Sequence, residues 1–206
     1  MAKDHLRAWD RDYERRGRLW GGAGDLPELP QGSRILELGC GDGKTLTLAA
    51  DRGLQSIGLD ISKQALALAR GAAPASPLIL ADARALPFRD ACFDYILAYH
   101  VFGHLLEGER RASAREAARV LLPGGRLFFR EFGDGDMRFG RGEEVEQGTF
   151  RRGVGTITHY FTPEEAGALF CGMQAIRAEA VRWTMRIMGQ EVMREEVWAE
   201  LVGVVE

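Results

Sequence analysis

Ile35-Leu36-Glu37-Leu38-Gly39-Cys40-Gly41-Asp42-Gly43 decides the fold of this chain. Residues 34–38 form a short aliphatic run of the kind buried in a parallel sheet. Three glycines follow at alternate positions, and a helical pattern opens near Lys44. Glycines are needed where a strand turns sharply into a helix and a ligand must touch the backbone. The free N–H groups of such a helix start suit a polar or anionic ligand edge. A phosphate-binding loop, G-x-x-x-x-G-K-[ST], would end as Gly43-Lys44-Thr45 does, but its first glycine would fall at Leu38. The dinucleotide fingerprint G-x-G-x-x-G places its third glycine one residue later than this chain does. A glycine-rich turn without a ligand is the bland alternative.

Outward from the turn, the chain alternates strand and helix. Residues 44–51 have a helical pattern closed by Gly53, and residues 56–60 read as a second buried strand. That strand ends in Asp60, 21 positions after Gly39, where a nucleotide-binding βαβ unit holds ribose hydroxyls; an ordinary surface aspartate is the alternative. Ser62 is placed to cap a helix that stops at Gly71, and residues 78–81 form a third strand. Residues 93–98 are the fourth. The crevice beyond strand ends binds ligands in α/β sheets, so the reacting centre is expected near residues 98–102. His100 and His104 are four apart, but no third metal ligand or H-E-x-x-H accompanies them, so a substrate contact, a general base or a structural histidine are the readings. A helix is expected over 107–122, with Arg111, Arg115 and Arg119 along one face, and a fifth strand over 126–132. Residues 133–156, rich in glycine, arginine and acids, read as a long functional or mobile loop. Thr162-Pro163-Glu164-Glu165 starts a helix reaching about Phe170, and 175–188 with 195–205 form a closing antiparallel pair.

Glu37-x-Gly39-x-Gly41-x-Gly43 resembles the first motif of the class I S-adenosylmethionine-dependent methyltransferases. Asp82-Ala83 after strand three, Phe93-Asp94 entering strand four, and Leu121-Leu122-Pro123-Gly124-Gly125-Arg126-Leu127 entering strand five are similar to the same superfamily. The resemblance covers roughly residues 34–132. It implies an α/β, Rossmann-like, seven-stranded and mostly parallel sheet in the order 3-2-1-4-5-7-6, with helices on both faces and an antiparallel last strand. It also implies S-adenosyl-L-methionine as cofactor, S-adenosyl-L-homocysteine as product, and no metal. On that reading Glu37, Gly39, Cys40, Gly41, Gly43, Asp60, Ile61, Asp82, Ala83 and Ala98 form the cofactor site. Glu37 would meet the cationic methionyl end, Asp60 the ribose and Asp82 the adenine amino group.

A narrower resemblance begins at Phe129. Arg130-Glu131-Phe132-Gly133, Asp136-Met137-Arg138-Phe139, Arg152-Gly153, Gly155-Thr156, Tyr160-Phe161-Thr162 and Glu165 are similar to segments of the tRNA 3-methylcytidine methyltransferases. Glu131 stands in place of an Asp, Phe132 of a Tyr, and Glu195-Glu196 of a Tyr-Arg pair before Val197-Trp198. The acceptor it implies is a tRNA base, cytidine N3. A small metabolite is the alternative, and a catalytically silent cofactor-binding subunit the second. His100, Glu131, Asp136 and His159 are the candidates for steering or base work, and Tyr13, Arg130, Arg138 and Arg152 for substrate binding.

Bulk properties set the bounds. The 206 residues, 46% hydrophobic, fit one α/β methyltransferase domain over 31–206, preceded by a helix or lid segment over 1–30. In that segment Trp9 and Tyr13 share a helical face, Trp20 follows, and Gly21, Gly22 and Gly24 form a hinge. A net charge of −3 lacks the strongly basic footprint of a nucleic-acid binder, leaving room only for a local basic face. Three scattered cysteines without a C-x-x-C pair point to neither zinc nor a disulfide framework and fit a reducing cytoplasm. No long apolar run or signal-peptide pattern is present, so no membrane association is expected; the oligomeric state is not legible.

Overall fold

The computed structural model describes residues 4–17, 25–153 and 155–204. The expected roles of Trp20 and of the glycines at 21, 22 and 24 lie outside those residues. Helix α1 (Asp4–Arg16) precedes the alternating core: β1 (Ile35–Leu38), α2 (Lys44–Asp51), β2 (Ser56–Asp60), α3 (Lys63–Ala72), β3 (Leu78–Leu80) and β4 (Phe93–Tyr99). A 3-10 turn (Phe102–His104), α4 (Glu107–Val120) and β5 (Leu121–Phe132) follow. Then come β6 (Glu143–Glu146), β7 (Thr149–Arg152), β8 (Thr156–His159), α5 (Pro163–Leu169), β9 (Met173–Ile187) and β10 (Gln190–Gly203).

Seven strands make the main sheet in the order β3-β2-β1-β4-β5-β10-β9. Strands β1 to β5 pair in parallel, and β10 inserts antiparallel between β5 and β9. This is the order expected from sequence, with the small inserted sheet set aside. Alternation along each strand serves both faces. Leu36, Leu38, Ile96, Ala98, Leu127 and Phe129 pack with Ala114, Ala117 and Val120 of α4. Ile35 and Leu97, one register off, pack with Ala49 of α2. Strand order reverses between β1 and β4, and this switch point fixes where a ligand crevice opens.

The expected loop over 133–156 is a correction. Strands β6, β7 and β8 form a separate three-stranded antiparallel sheet. Its buried apolar residues include only Phe150 and Ile157, so strands of four residues carried no readable alternation. Helix α4 ends at Val120 and β5 begins at Leu121, earlier than the 126 expected, with the register shifting between Phe93 and Tyr95 opposite Pro123-Gly124-Gly125. Arg119, in the expected row of solvated arginines, instead staples α4 to the preceding loop through Glu116, Asp90 and the carbonyls of Leu86 and Phe88.

Candidate active site

The glycine turn closes β1 onto α2 with all three glycines in the left-handed region: Gly39 at φ +67°, Gly41 at +54° and Gly43 at +83°. Gly43 caps α2 with no side chain to spare: a Cβ there would lie 3.0 Å from Ala69 Cα. At Gly41 a Cβ would meet the Tyr13 hydroxyl at 2.6 Å, so α1 lays its tyrosine directly on the turn. Helix α1 is held there by Asp10, whose Oδ1 accepts from Ser62 Oγ at 2.8 Å and from the Gln64 amide at 3.1 Å. Trp9 adds a ring contact to His104, centroids 4.3 Å apart. The sequence left α1 as either an edge helix or a lid; it lies along the cleft and lines it with Trp9 and Tyr13.

A cleft of about 640 Å³ runs from this turn along the carboxyl ends of the strands to β9 and β10. Glu37, Gly39, Cys40, Gly41, Asp60, Ile61, Asp82 and Ala83 all line it, as do Tyr13, His100 and Arg130. Gly43 packs on α3 and Ala98 is buried in the sheet behind the turn; neither lines the cleft. Glu131, Asp136, His159, Arg138 and Arg152 also lie outside its lining.

Three carboxylates mark the trough beside the turn. Glu37 is buried, and its Oε2 has no hydrogen-bond partner among the described residues. Burial pushes its carboxyl up to about 8, against a hydrogen bond from Thr45, with Asp60 and Asp42 adding repulsion. A buried carboxylate with an open oxygen in a cleft is suited to a cation. Asp60 accepts from the Gly41 amide at 2.8 Å and the Ser62 amide at 2.8 Å, which holds it at the tip of β2 against a burial effect that raises its pKa. Asp82 is braced by the Arg84 amide and guanidinium, each at 2.9 Å. The glycine backbone, the open Glu37 oxygen and the acids at successive strand ends fit an adenosyl amino acid.

The far end of the cleft is a different compartment. His100 sits at φ +53°, its amide donating to the Arg130 carbonyl, and its ring lies against Phe132 at 4.5 Å. Its Nε2 is 3.2 Å from Glu196 Oε1 and its Nδ1 3.9 Å from Glu131 Oε2. Glu131 is fully buried behind it, and burial pushes that carboxyl up to about 7, opposed by the His100 charge and the amides of Val101 to Gly103. The Arg130 guanidinium lies 3.8 Å from the Trp198 ring centroid and 4.8 Å from that of Tyr99. Burial raises Glu196, but the His100 and Trp198 hydrogen bonds and the Arg130 charge outweigh it and hold its carboxyl below the usual range.

The remaining sequence candidates are engaged elsewhere. Asp136 is buried between Arg138 Nε at 2.8 Å and Arg194 Nε at 2.6 Å; burial raises its pKa, but these two arginines win and lower it. His159 bridges Thr149 Oγ1 and Glu165 Oε1, each at 2.8 Å, tying the small sheet to α5. Arg138 stacks on Phe132, and Arg152 bonds the Tyr160 hydroxyl. Tyr99, Trp183, Arg194 and Glu196 line the cleft without having been singled out as site residues from sequence. Residues 194, 196 and 198 share one face of β10, so period-two alternation was the signal available for them. Among the described residues no cluster of His, Cys, Asp and Glu could hold a metal, and no helix is long and apolar enough to cross a membrane.

Comparison with known proteins agrees with this geometry. A family model described as a methyltransferase domain matches residues 36–129. The chicken (Gallus gallus) tRNA N(3)-cytidine methyltransferase METTL2 is 27% identical over 193 residues, covering 85% of this chain and 52% of that protein. The Synechocystis 2-methyl-6-phytyl-1,4-hydroquinone methyltransferase is 32% identical over 142 residues, 67% of this chain and 43% of that protein. The chain thus spans about half the length of the curated relatives it matches. A solved S-adenosylmethionine-dependent methyltransferase from Methanosarcina mazei superposes with a TM-score of 0.73 at 26% identity, covering 86% of this chain and 95% of that one. With the acidic-glycine turn at the switch point of a 3-2-1-4-5-7-6 sheet, these likenesses lead to one conclusion: the chain carries a methyltransferase domain over residues 36–129 on the fold of the S-adenosylmethionine-dependent methyltransferases.

Proposed function

We propose that this protein transfers a methyl group from S-adenosylmethionine to N3 of a cytidine in tRNA. One observation carries the reading: a single cleft joins the three-acid trough to a compartment built from Tyr99, His100, Arg130, Glu196 and Trp198. The similarity to METTL2, which covers 85% of this chain, supports the choice of acceptor. Glu37 would hold the methionyl ammonium, the glycine turn the amino-acid backbone, Asp60 the ribose hydroxyls, and Asp82 with the Ala83 amide the adenine. When bound there, the cofactor supplies a methyl group on a positively charged sulfur. The protein's contribution is to fix donor and acceptor in line, about 3 Å apart, and to keep water out. A ring nitrogen with a free lone pair needs no base, which assigns His100 and Glu131 to steering rather than proton removal.

The test is radiolabelled methyl transfer to fractionated cell extract, sorted by macromolecule class. Label in tRNA, released as 3-methylcytidine and falling steeply with added salt, is the expected result. Label confined to low-molecular-weight material would overturn the tRNA acceptor. A small-molecule acceptor is the second reading, favoured by α1, whose Trp9 and Tyr13 wall the cleft, and by the hydroquinone methyltransferase similarity.

A further inference from the structure

Resting on the cytidine reading above, we propose that Glu196 reads the base itself, accepting from the exocyclic N4 amino group, with Arg130 beside it as its counter-charge. The two side chains come from neighbouring strands, β10 and β5, where Trp198 pairs with Arg130 and Glu196 with Phe132. Arg130 Nε and Glu196 Oε2 lie 3.9 Å apart, beyond hydrogen-bond reach of each other.

Each group is held rigid, and Glu196 keeps capacity to spare. The Arg130 guanidinium is stacked on Trp198 and Tyr99 and tied through NH2 to Asp25 at 3.2 Å. Its buried Nε faces Glu196 Oε2 at 3.9 Å, and its charge helps hold that carboxylate ionised. Glu196 is fixed by Trp198 Nε1 at 2.9 Å and His100 Nε2 at 3.2 Å. A carboxylate accepts about four hydrogen bonds, so both oxygens retain free lone pairs.

Cytosine presents an amino donor, a bare ring-nitrogen lone pair and a carbonyl acceptor in a row. A carboxylate that accepts from the outward hydrogen of the amino group leaves N3 unpaired and open to the methyl donor. Uracil presents an acceptor where Glu196 needs a donor, and its N3 carries a proton instead of a lone pair. The pairing of a glutamate with the cytosine amino group is a general rule of base readout. As the N3–C bond forms and the S–CH3 bond breaks, positive charge passes to the ring and no proton is released. The Glu196 carboxylate lies beside that developing cation, and a fixed charge so placed favours the transition state over the ground state.

The experiment compares methyl transfer by the full chain to two tRNA transcripts. One carries cytidine at the acceptor position, the other the 4-deaminated pyrimidin-2-one nucleoside, which lacks only the amino group. Wild-type kcat/KM should fall on the analogue by about 10- to 100-fold beyond the loss that its weaker N3 nucleophile causes by itself. Glu196→Met should lose a similar factor on cytidine and less on the analogue, so that its cytidine preference is smaller than that of wild type, while it binds S-adenosylhomocysteine as wild type does. Equal wild-type rates on both transcripts, or a cytidine preference in Glu196→Met as large as that of wild type, would overturn the assignment. If Glu196→Met fails to fold, Glu196→Gln, which keeps the shape and loses the charge, takes its place and should narrow the cytidine preference in the same direction. Wild type that binds S-adenosylhomocysteine but methylates no RNA would overturn the acceptor reading and the assignment with it, an outcome distinct from methylation without discrimination.

Discussion

Glu37 should release a proton when the methionyl end of the cofactor binds. Burial pushes its carboxyl up to about 8, so at pH 7 roughly nine molecules in ten carry the proton. An ammonium group placed against the open Oε2 favours the ionised form and drives that proton off. Binding of S-adenosylhomocysteine, which has the ammonium without the sulfonium, isolates the effect. Titration calorimetry at pH 7 in buffers of different ionisation enthalpy should give a slope near 0.9 proton released, on the order of the protonated fraction. Affinity should rise about tenfold from pH 6 to pH 7 and flatten near 8. Glu37→Gln should abolish both the buffer slope and the pH dependence, and weaken binding at pH 8 by about 1.5–3 kcal/mol for the lost charged hydrogen bond. The ligand-free protein gives an opposite sign. A carboxyl raised from 4.5 to about 8 in the folded state costs stability as pH climbs between those values, by at most about 5 kcal/mol. Ligand-free Glu37→Gln should therefore be the more stable protein at pH 8 and indistinguishable from wild type at pH 4. No buffer dependence in wild type, or the same slope in the variant, would refute the reasoning.

Three further outcomes follow from the geometry. Gly43→Ala, with φ +83° and a Cβ 3.0 Å from Ala69 Cα, should lose about 2–4 kcal/mol in urea unfolding, from left-handed strain plus overpacking. Asp10→Ala removes both bonds that tether α1 to the start of α3; it should cost about 1–2 kcal/mol and speed S-adenosylhomocysteine release in stopped flow, with limited proteolysis moving into α1. His159→Leu leaves the buried Thr149 hydroxyl unpaired and should lose about 2–3 kcal/mol by thermal unfolding, with S-adenosylhomocysteine affinity in calorimetry unchanged.

The alternating core was legible because its signals are local and redundant. Four aliphatic strands, a glycine turn whose spacing excludes two rival loops, and an acid 21 residues on all point to one switch point. Residues within a few positions of a strand tip, such as Glu37, Asp60 and Asp82, are carried to the cleft by strand direction alone. The small sheet was not legible, because strands of four residues at the surface bury at most two side chains and leave no period to count.

The far end of the cleft shows why chemistry read from residue type alone misleads. Asp136 and His159 have the right functional groups, but the arginines around one and the Thr149–Glu165 bridge around the other consume their hydrogen-bonding capacity in holding the fold. Glu196 carries the same kind of group and keeps capacity free. The difference is set by β10, which enters between β5 and β9 and alternates its side chains, burying Glu195 against the Gly133–Gly135 loop while Glu196 faces the cleft. A shift of one residue in the β5–β10 register would exchange the two glutamates. On the proposed reading, acceptor choice is a property of strand pairing across more than sixty residues of chain, and a variant that slips that register should lose discrimination while the trough at Glu37 still binds the adenosyl group.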